Sequence, residues 1–222
     1  AALKRITQSV YSPSELIKTN ILGTMNVIQA ATDVGVHRVL VISSDKAVEA
    51  VNLYGMTKAV AESYAVQSNS YAYPRRTRVS CVRYGNVLGS RGSVVHVWRE
   101  QLRRGQPLMI TDSDMTRFFL TLPQAAAFCL DALDAMEGGE IFVPRLPATA
   151  LHTLARAVGN GVYPPFVLTG LRPGGEKLHE ALLSREEPAR TYRLSVHCQT
   201  TGWSPMVIYP SHHSWREQFP HR

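Results

Sequence analysis

Tyr54 and Lys58 stand four residues apart in the run N-L-Y-G-M-T-K. On a helix that spacing puts a phenol and an ammonium on one face. A phenol next to a cation is a candidate proton acceptor. Its ordinary pKa is about 10, so work near neutrality needs a downward shift of about three units, or about 4 kcal/mol of differential stabilisation. Eight residues before Tyr54 lies Lys46, the last residue of Ser43-Ser44-Asp45-Lys46. A neighbouring carboxyl and amine can act as acid and base when their surroundings push their proton affinities apart. The plainer alternative is an exposed ion pair worth under about 1 kcal/mol. Likewise, Y-x-x-x-K alone equally describes a packed tyrosine and a solvated lysine. The order of the runs favours chemistry: S-S-D-K, then Y-x-x-x-K, then R-Y-G-N-V-L-G beginning at Arg83.

These runs need elements to hold them. Ser12-Pro13-Ser14-Glu15 offers an N-cap, a proline at the first helical position and an acid three residues after the cap, predicting a helix over 13–34 closed by Gly35. Val36 to Ile42 is a β-branched run typical of a strand buried in a parallel sheet. The alternation repeats with a helix over 53–67, a strand over 79–84 and a helix over 94–104 closed by Gly105. Thr121-Leu122-Pro123-Gln124 is a second capping box, ahead of a helix to Met136, followed by a strand over 140–143. Smaller pieces are expected at 151–158 (helix), 166–168 (strand) and 176–183 (helix). The fold class is α/β, a partial doubly wound, Rossmann-like parallel sheet with a smaller C-terminal α/β portion. Ligands of such sheets sit beyond the carboxyl ends of the strands, which points to the residues after Ile42 and Tyr84.

The chain has 222 residues, 45% hydrophobic and 18% charged, a soluble globular composition. Its longest apolar runs, such as Ala125 to Leu130, are about six residues, which rules out a membrane-spanning helix in this chain. Ala1 to Ser9 shows no secretory signal, and the start looks cut. Basic residues number 24 against 17 acidic, and between Arg75 and Arg104 stand eight arginines (75, 76, 78, 83, 91, 99, 103, 104) with one acid, Glu100. That block suggests a phosphate-bearing partner; no zinc-finger or RNP-like pattern accompanies it, so nucleic acid is not expected. Cys81, Cys129 and Cys198 are odd in number and far apart, which argues for free thiols in a reducing compartment, the cytoplasm. With no C-x-x-C or H-E-x-x-H, and His212-His213 in a polar tail, no metal site is expected.

S-S-D-K-A, N-L-Y-G-M-T-K, R-Y-G-N-V-L-G-S-R-G-S-V, M-T-R-F, G-G-E-I-F-V-P and R-P-G-G-E-K-L-H-E occur in one order over about residues 1 to 188. Together they resemble the extended short-chain dehydrogenase/reductases that act on nucleotide sugars, and among these the UDP-N-acetylglucosamine 4,6-dehydratases of bacterial polysaccharide synthesis. Val207-Ile208-Tyr209-Pro210 with Ser214-Trp215 is similar to the ending of those proteins. The resemblance implies a lyase, dependent on NADP or NAD, that oxidises C4, eliminates water across C5 and C6 and reduces C6. Tyr54 would take the C4 hydroxyl proton, and Lys58, beside a bound nicotinamide, would lower its pKa. Lys46 would take the C5 proton and Asp45 would protonate the leaving O6. Lys46 is the informative letter, because other sugar-nucleotide dehydratases place a glutamate there. The cofactor side is implied to include Asn20 (as a buried structural asparagine), Ser43, Ser44, Tyr84, Val87 and Arg91. The UDP-sugar side is implied to include Lys4, Lys46, Asn86, Arg117, Arg172 and Glu176, with guanidinium forks on the diphosphate and Glu176 on the ribose.

The domain organisation follows: residues 1–90 as the second half of a dinucleotide-binding domain, 91–190 mostly binding the UDP-sugar, with segments returning to the sheet, and 191–222 as an irregular tail. No G-x-G-x-x-G follows a strand, so the chain reads as a fragment lacking the first mononucleotide-binding half, with weak or no dinucleotide binding of its own and an uncovered strand edge. A homo-oligomer is expected at full length. Ser44 replaces the family's usual threonine, Gly174-Gly175 carries an extra glycine that puts the ribose contact of Glu176 in doubt, and 199–204 reads as an insertion. Two alternatives stay open: a UDP-sugar-binding module without catalysis, and a nucleotide-sugar epimerase, which needs Tyr54 and Lys58 but no acid and base at 45 and 46. The C5 stereochemical outcome is not fixed by the sequence.

Overall fold

The computed structural model describes residues 2–4, 11–71, 77–90, 92–193 and 205–209. The first helix, α1, comprises Pro13–Ile17 and Gly23–Asp33, joined without a break by a π-helical turn at Lys18–Leu22. Ser12 occupies the N-cap but makes no side-chain capping bond, so the proline at the first helical position starts the helix without the expected cap. Strand β1 (Arg38–Ile42), helix α2 (Leu53–Gln67) and strand β2 (Arg78–Val82) form a βαβ unit. The two strands run parallel, with Arg38 opposite Arg78 and Ile42 opposite Val82. After β3 (Asn86–Val87), α3 (Val94–Arg103), β4 (Leu108–Ile110) and β5 (Thr116–Leu120) comes α4 (Leu122–Ala135), with its capping box between Thr121 and Gln124 formed as the sequence predicts. Then follow β6 (Ile141–Val143), β7 (Ala148–Ala150), α5 (Leu151–Val158), β8 (Phe166–Leu168), β9 (Thr191–Arg193) and β10 (Met206–Ile208).

The main sheet has the order β1-β2-β6-β10-β9. β6 joins β2 in parallel, whereas β10 and β9 add in antiparallel fashion. Part of the tail expected to be irregular is therefore sheet, because Val207 and Ile208 each bury an apolar side chain on opposite faces of it. Strand β2 is buried on both faces, as its β-branched run predicts, with Val79 and Cys81 packed beneath α1 and α2 and Val82 against Phe128 and Phe142. β1 pairs with β2 alone among the described strands, so it forms one edge of the sheet. A second core of Trp98, Leu108, Ile110, Met115 and Leu151 lies beneath the smaller sheets, β3-β5-β7 and β4-β8.

The helix expected over 176–183 does not form. The segment is an extended strap against β5: Thr116 N donates to the Leu178 carbonyl at 3.1 Å and Thr116 Oγ1 lies 2.8 Å from His179 Nδ1. Its acids are claimed by cations on other elements, which outweighs local helix propensity. The described arginines of the basic block do not share one exposed face. Arg83 is buried, paired with Glu62 at 2.5 Å and Glu187 at 2.8 Å, and Arg103 and Arg104 both bind Glu100. Cys81 is buried and Cys129 half-buried, and both are free thiols. Arg75, Arg76, Arg91, Cys198, the 199–204 insertion, Pro210, His212-His213 and Ser214-Trp215 lie outside the described residues. Among the described residues no helix is long and apolar enough to cross a membrane.

Candidate active site

The polar run after β1 is held against the end of β2. Ser43 N donates to the Val82 carbonyl at 2.7 Å and Asp45 N to the Tyr84 carbonyl at 3.1 Å, extending the parallel pairing past the last strand residue. Asp45–Ala47 then closes a 3-10 turn whose Lys46 N donates to Ser44 Oγ. Asn52 caps α2 by accepting from Gly55 N at 2.8 Å, and its amide donates to the Gly175 carbonyl at 2.9 Å. Gly55 is where the helix meets the turn: a Cβ there would run into the Lys46 carbonyl, so only glycine permits this approach. Tyr54 and Lys58 thereby come to lie beside Ser44 and Lys46.

A cleft of about 920 Å³ opens at these strand ends. The turn contributes Ser43, Ser44 and Lys46 to its wall, and α2 contributes Tyr54 and Lys58. The segment after β2 adds Tyr84, Asn86 and Val87. Arg117 enters from β5, Arg172 and Glu176 from the strap, and Lys4 from the opposite rim, where its Nζ lies 3.1 Å from Ser90 Oγ. Glu176 thus stays in the cleft despite the extra glycine. Two expected residues do not line it. Asn20 is 2% exposed, accepts from Leu3 N, and donates to the Leu3 carbonyl and Thr57 Oγ1, so it anchors the segment bearing Lys4 and does not face a cofactor. Asp45 is fully buried; its Oδ1 accepts from Ser44 Oγ at 2.8 Å and from Lys46 Nζ at 3.0 Å, while Oδ2 has no hydrogen-bond partner among the described residues. Asp45 therefore reaches the cleft only through its two neighbours.

The electrostatics of the cleft follow from burial and these contacts. Burial pushes the Tyr54 phenol up to about 12, hydrogen bonding with Ser44 partly opposes this, and the Asp45 charge adds to it. Lys58 Nζ donates to the Ile42 carbonyl at 2.7 Å, and burial lowers its own pKa. Arg117 differs from a free diphosphate clamp as well. It is 6% exposed; Nη1 donates to the Thr116 and Leu178 carbonyls and Nη2 to Glu176 Oε1 and the Lys177 carbonyl, so both terminal nitrogens are committed. Arg172 is the exposed fork, with Nε and Nη2 on Glu176 at 3.1 and 2.7 Å. Burial opposes ionisation of Glu176, but Arg172 and then Arg117 outweigh it and hold the carboxyl below its ordinary range.

One charged residue at this site escaped the sequence reading. Glu180, with a side chain 4% exposed, sits 3.7 Å from Lys46 Nζ. It closes the motif R-P-G-G-E-K-L-H-E, and that position was its only signal. No group of three or more metal-ligating side chains occurs among the described residues.

The α/β sheet, parallel over β1, β2 and β6, with Y-x-x-x-K beside a polar S-S-D-K turn at its strand ends, makes this a Rossmann-like protein. Within that class, the chain belongs to the polysaccharide biosynthesis protein family, which it matches over residues 1–201. It is 42% identical over 193 residues to UDP-N-acetylglucosamine 4,6-dehydratase (inverting) of Campylobacter jejuni subsp. jejuni strain 81-176, covering 86% of this chain and 57% of that protein. It is 38% identical over 192 residues to UDP-glucose 4-epimerase of Rickettsia typhi, covering 86% and 56%. Among solved structures it resembles Pen from Bacillus thuringiensis with a TM-score of 0.86 and 33% identity, covering 95% of this chain and 65% of that one. The chain thus spans little more than half the length of these curated relatives.

Proposed function

We propose that the protein carrying this chain is a lyase that removes water from UDP-N-acetylglucosamine, giving a UDP-4-keto-6-deoxy sugar for polysaccharide or glycan synthesis. The observation that carries this reading is Lys46: its amine lines the same cleft as Tyr54 and is held there by Asp45 Oδ1 at 3.0 Å and Asn86 Oδ1 at 3.2 Å. An epimerase has no need of a base at that point, because its chemistry ends at C4. The 42% identity to a 4,6-dehydratase supports the same choice.

Tyr54, once ionised, takes the proton of the C4 hydroxyl. With C4 a carbonyl the C5 proton is acidic; Lys46 in its amine form takes it, and the ammonium so formed gives a proton to O6, which leaves as water as the C5–C6 double bond forms. Asp45 is buried behind Ser44 and Lys46, so in this reading it acts through them in place of the direct donation to O6 that the resemblance implies. Arg172 and Glu176 receive the nucleotide, Arg172 at the diphosphate and Glu176 at the ribose, while Arg117 holds the strap under them. A nicotinamide dinucleotide, NADP or NAD, supplies the hydride acceptor for C4 and the donor for C6 when bound. The residues fit its nicotinamide end: Ser43 Oγ is buried at the strand end without a hydrogen-bond partner among the described residues, next to Lys58, Tyr84 and Val87. The sequence holds no glycine-rich turn for the pyrophosphate.

The second reading, an epimerase, is favoured by the 38% identity to UDP-glucose 4-epimerase. Mass spectrometry of UDP-N-acetylglucosamine incubated with the whole protein separates the two: dehydration removes one water, epimerisation leaves the mass unchanged. Lys46→Ala is expected to abolish water loss while nucleotide binding persists. Unchanged turnover in that variant overturns the assignment.

A further inference from the structure

Glu180 has two cations and almost no solvent. Its Oε1 lies 3.7 Å from Lys46 Nζ, and its Oε2 lies 3.6 Å from Lys177 Nζ with no hydrogen bond among the described residues. A carboxylate this deeply buried is costly unless charged partners compensate, so its presence calls for a use beyond solubility. Lys46 suggests the use. Lys46 Nζ donates to Asp45 Oδ1 at 3.0 Å and Asn86 Oδ1 at 3.2 Å, and Glu180 Oε1 lies 3.7 Å away, so groups from the turn, β3 and the strap surround it. The first two belong to the wall on which Lys46 itself sits. Glu180 alone belongs to the strap that carries Arg172 and Glu176. Lys177, beside it, donates to the Val48 carbonyl just after the turn, which ties strap and turn together a second time. The other titratable or charged groups lining this cleft are Tyr54 and Lys58 from α2, Tyr84 after β2, Arg117 from β5, Arg172 and Glu176 from the strap, and Lys4.

We propose that Glu180 is a positioning residue for Lys46, the strap carboxylate that completes the cradle of its amine and ties the place of Nζ to the seating of the nucleotide-binding strap. The inference rests on the reading of Lys46 as the base. It gives the strap two tasks, receiving the nucleotide through Arg172 and Glu176 and aligning the base through Glu180.

Nuclear magnetic resonance of the chain labelled at the lysine ε-carbon tests the cradle directly, with Lys46→Arg identifying the signal. While Nζ is fixed, the two ε-protons are inequivalent. Glu180→Gln is expected to collapse that inequivalence, Glu180→Asp to retain part of it, and the exposed Glu186→Gln to leave it intact. In the whole protein, Glu180→Gln is expected to lower kcat by about 10- to 100-fold, the loss that follows when a reacting group is misplaced by about 1 Å, with KM for UDP-N-acetylglucosamine unchanged. A Lys46 signal unaltered in Glu180→Gln, or a fall confined to KM, overturns the proposal. If the wild-type protein performs no dehydration, the functional reading fails, and the resonance experiment still decides whether Glu180 holds Lys46.

Discussion

In the proposed reaction Tyr54 has to become a phenolate to accept a proton, and its surroundings oppose this. Burial raises it from 10.0 to about 12, a penalty of about 3 kcal/mol on the charged form. Half-ionisation at pH 7 therefore demands about five units, or about 7 kcal/mol, more than the sequence alone implied. One ammonium at about 4 Å supplies about 4 kcal/mol at the effective dielectric of a protein surface, so Lys58 cannot meet the demand unaided, and a further positive charge is required. The chain by itself is thus expected to keep Tyr54 protonated until pH rises above about 10. Ultraviolet difference titration of the wild type against Tyr54→Phe isolates this phenol from the other eight of nine tyrosines. Because the folded value exceeds the unfolded one, Tyr54 adds stability that is full below pH 10 and lost as pH rises through about 12. Urea unfolding should show that loss in the wild type and not in Tyr54→Phe. A Tyr54-specific phenolate signal in the chain by about pH 8 would refute the reasoning, since it would mean that the site pre-ionises its base.

Arg83→Met should destabilise the chain by about 3 to 5 kcal/mol in urea titration, because it strands the buried carboxylates of Glu62 and Glu187. Adding Glu62→Gln and Glu187→Gln should recover much of the loss. Gly55→Ala should cost about 1 to 3 kcal/mol, read as a fall in Tm of about 2 to 4 °C per kcal/mol, because the new Cβ must push the Lys46 carbonyl and its turn away from α2.

Much of this architecture is legible in the amino-acid order where local and global preferences agree. The β-branched run before Ser43, the capping box at Thr121 and the four-residue spacing of Tyr54 and Lys58 are such places, and each stands where the pattern puts it. Disagreement arises where partners lie far apart in sequence. Arg83 reads as one member of a basic block, because nothing near it announces Glu62 and Glu187, 21 and 104 positions away. Residues 176–183 have helical composition, but Arg117 and Arg172 take Glu176, and Lys46 and Lys177 take Glu180. β5 escapes notice because one of its two buried residues is Arg117, a charge where alternation leads one to look for an apolar side chain. The four-residue spacing puts Tyr54 and Lys58 on one cleft, but burial of the phenol cannot be read from that interval.

The strap also bears on the order in which the molecule can be made. Lys177 closes onto Val48 across 129 residues and Arg83 onto Glu187 across 104, so the pocket is finished by parts of the polypeptide that leave the ribosome long after the turn at Asp45–Ala47. Closing loops of that size costs chain entropy before any contact repays it. During synthesis the βαβ unit can therefore collapse early, while a working pocket must wait for the last third of the chain to emerge.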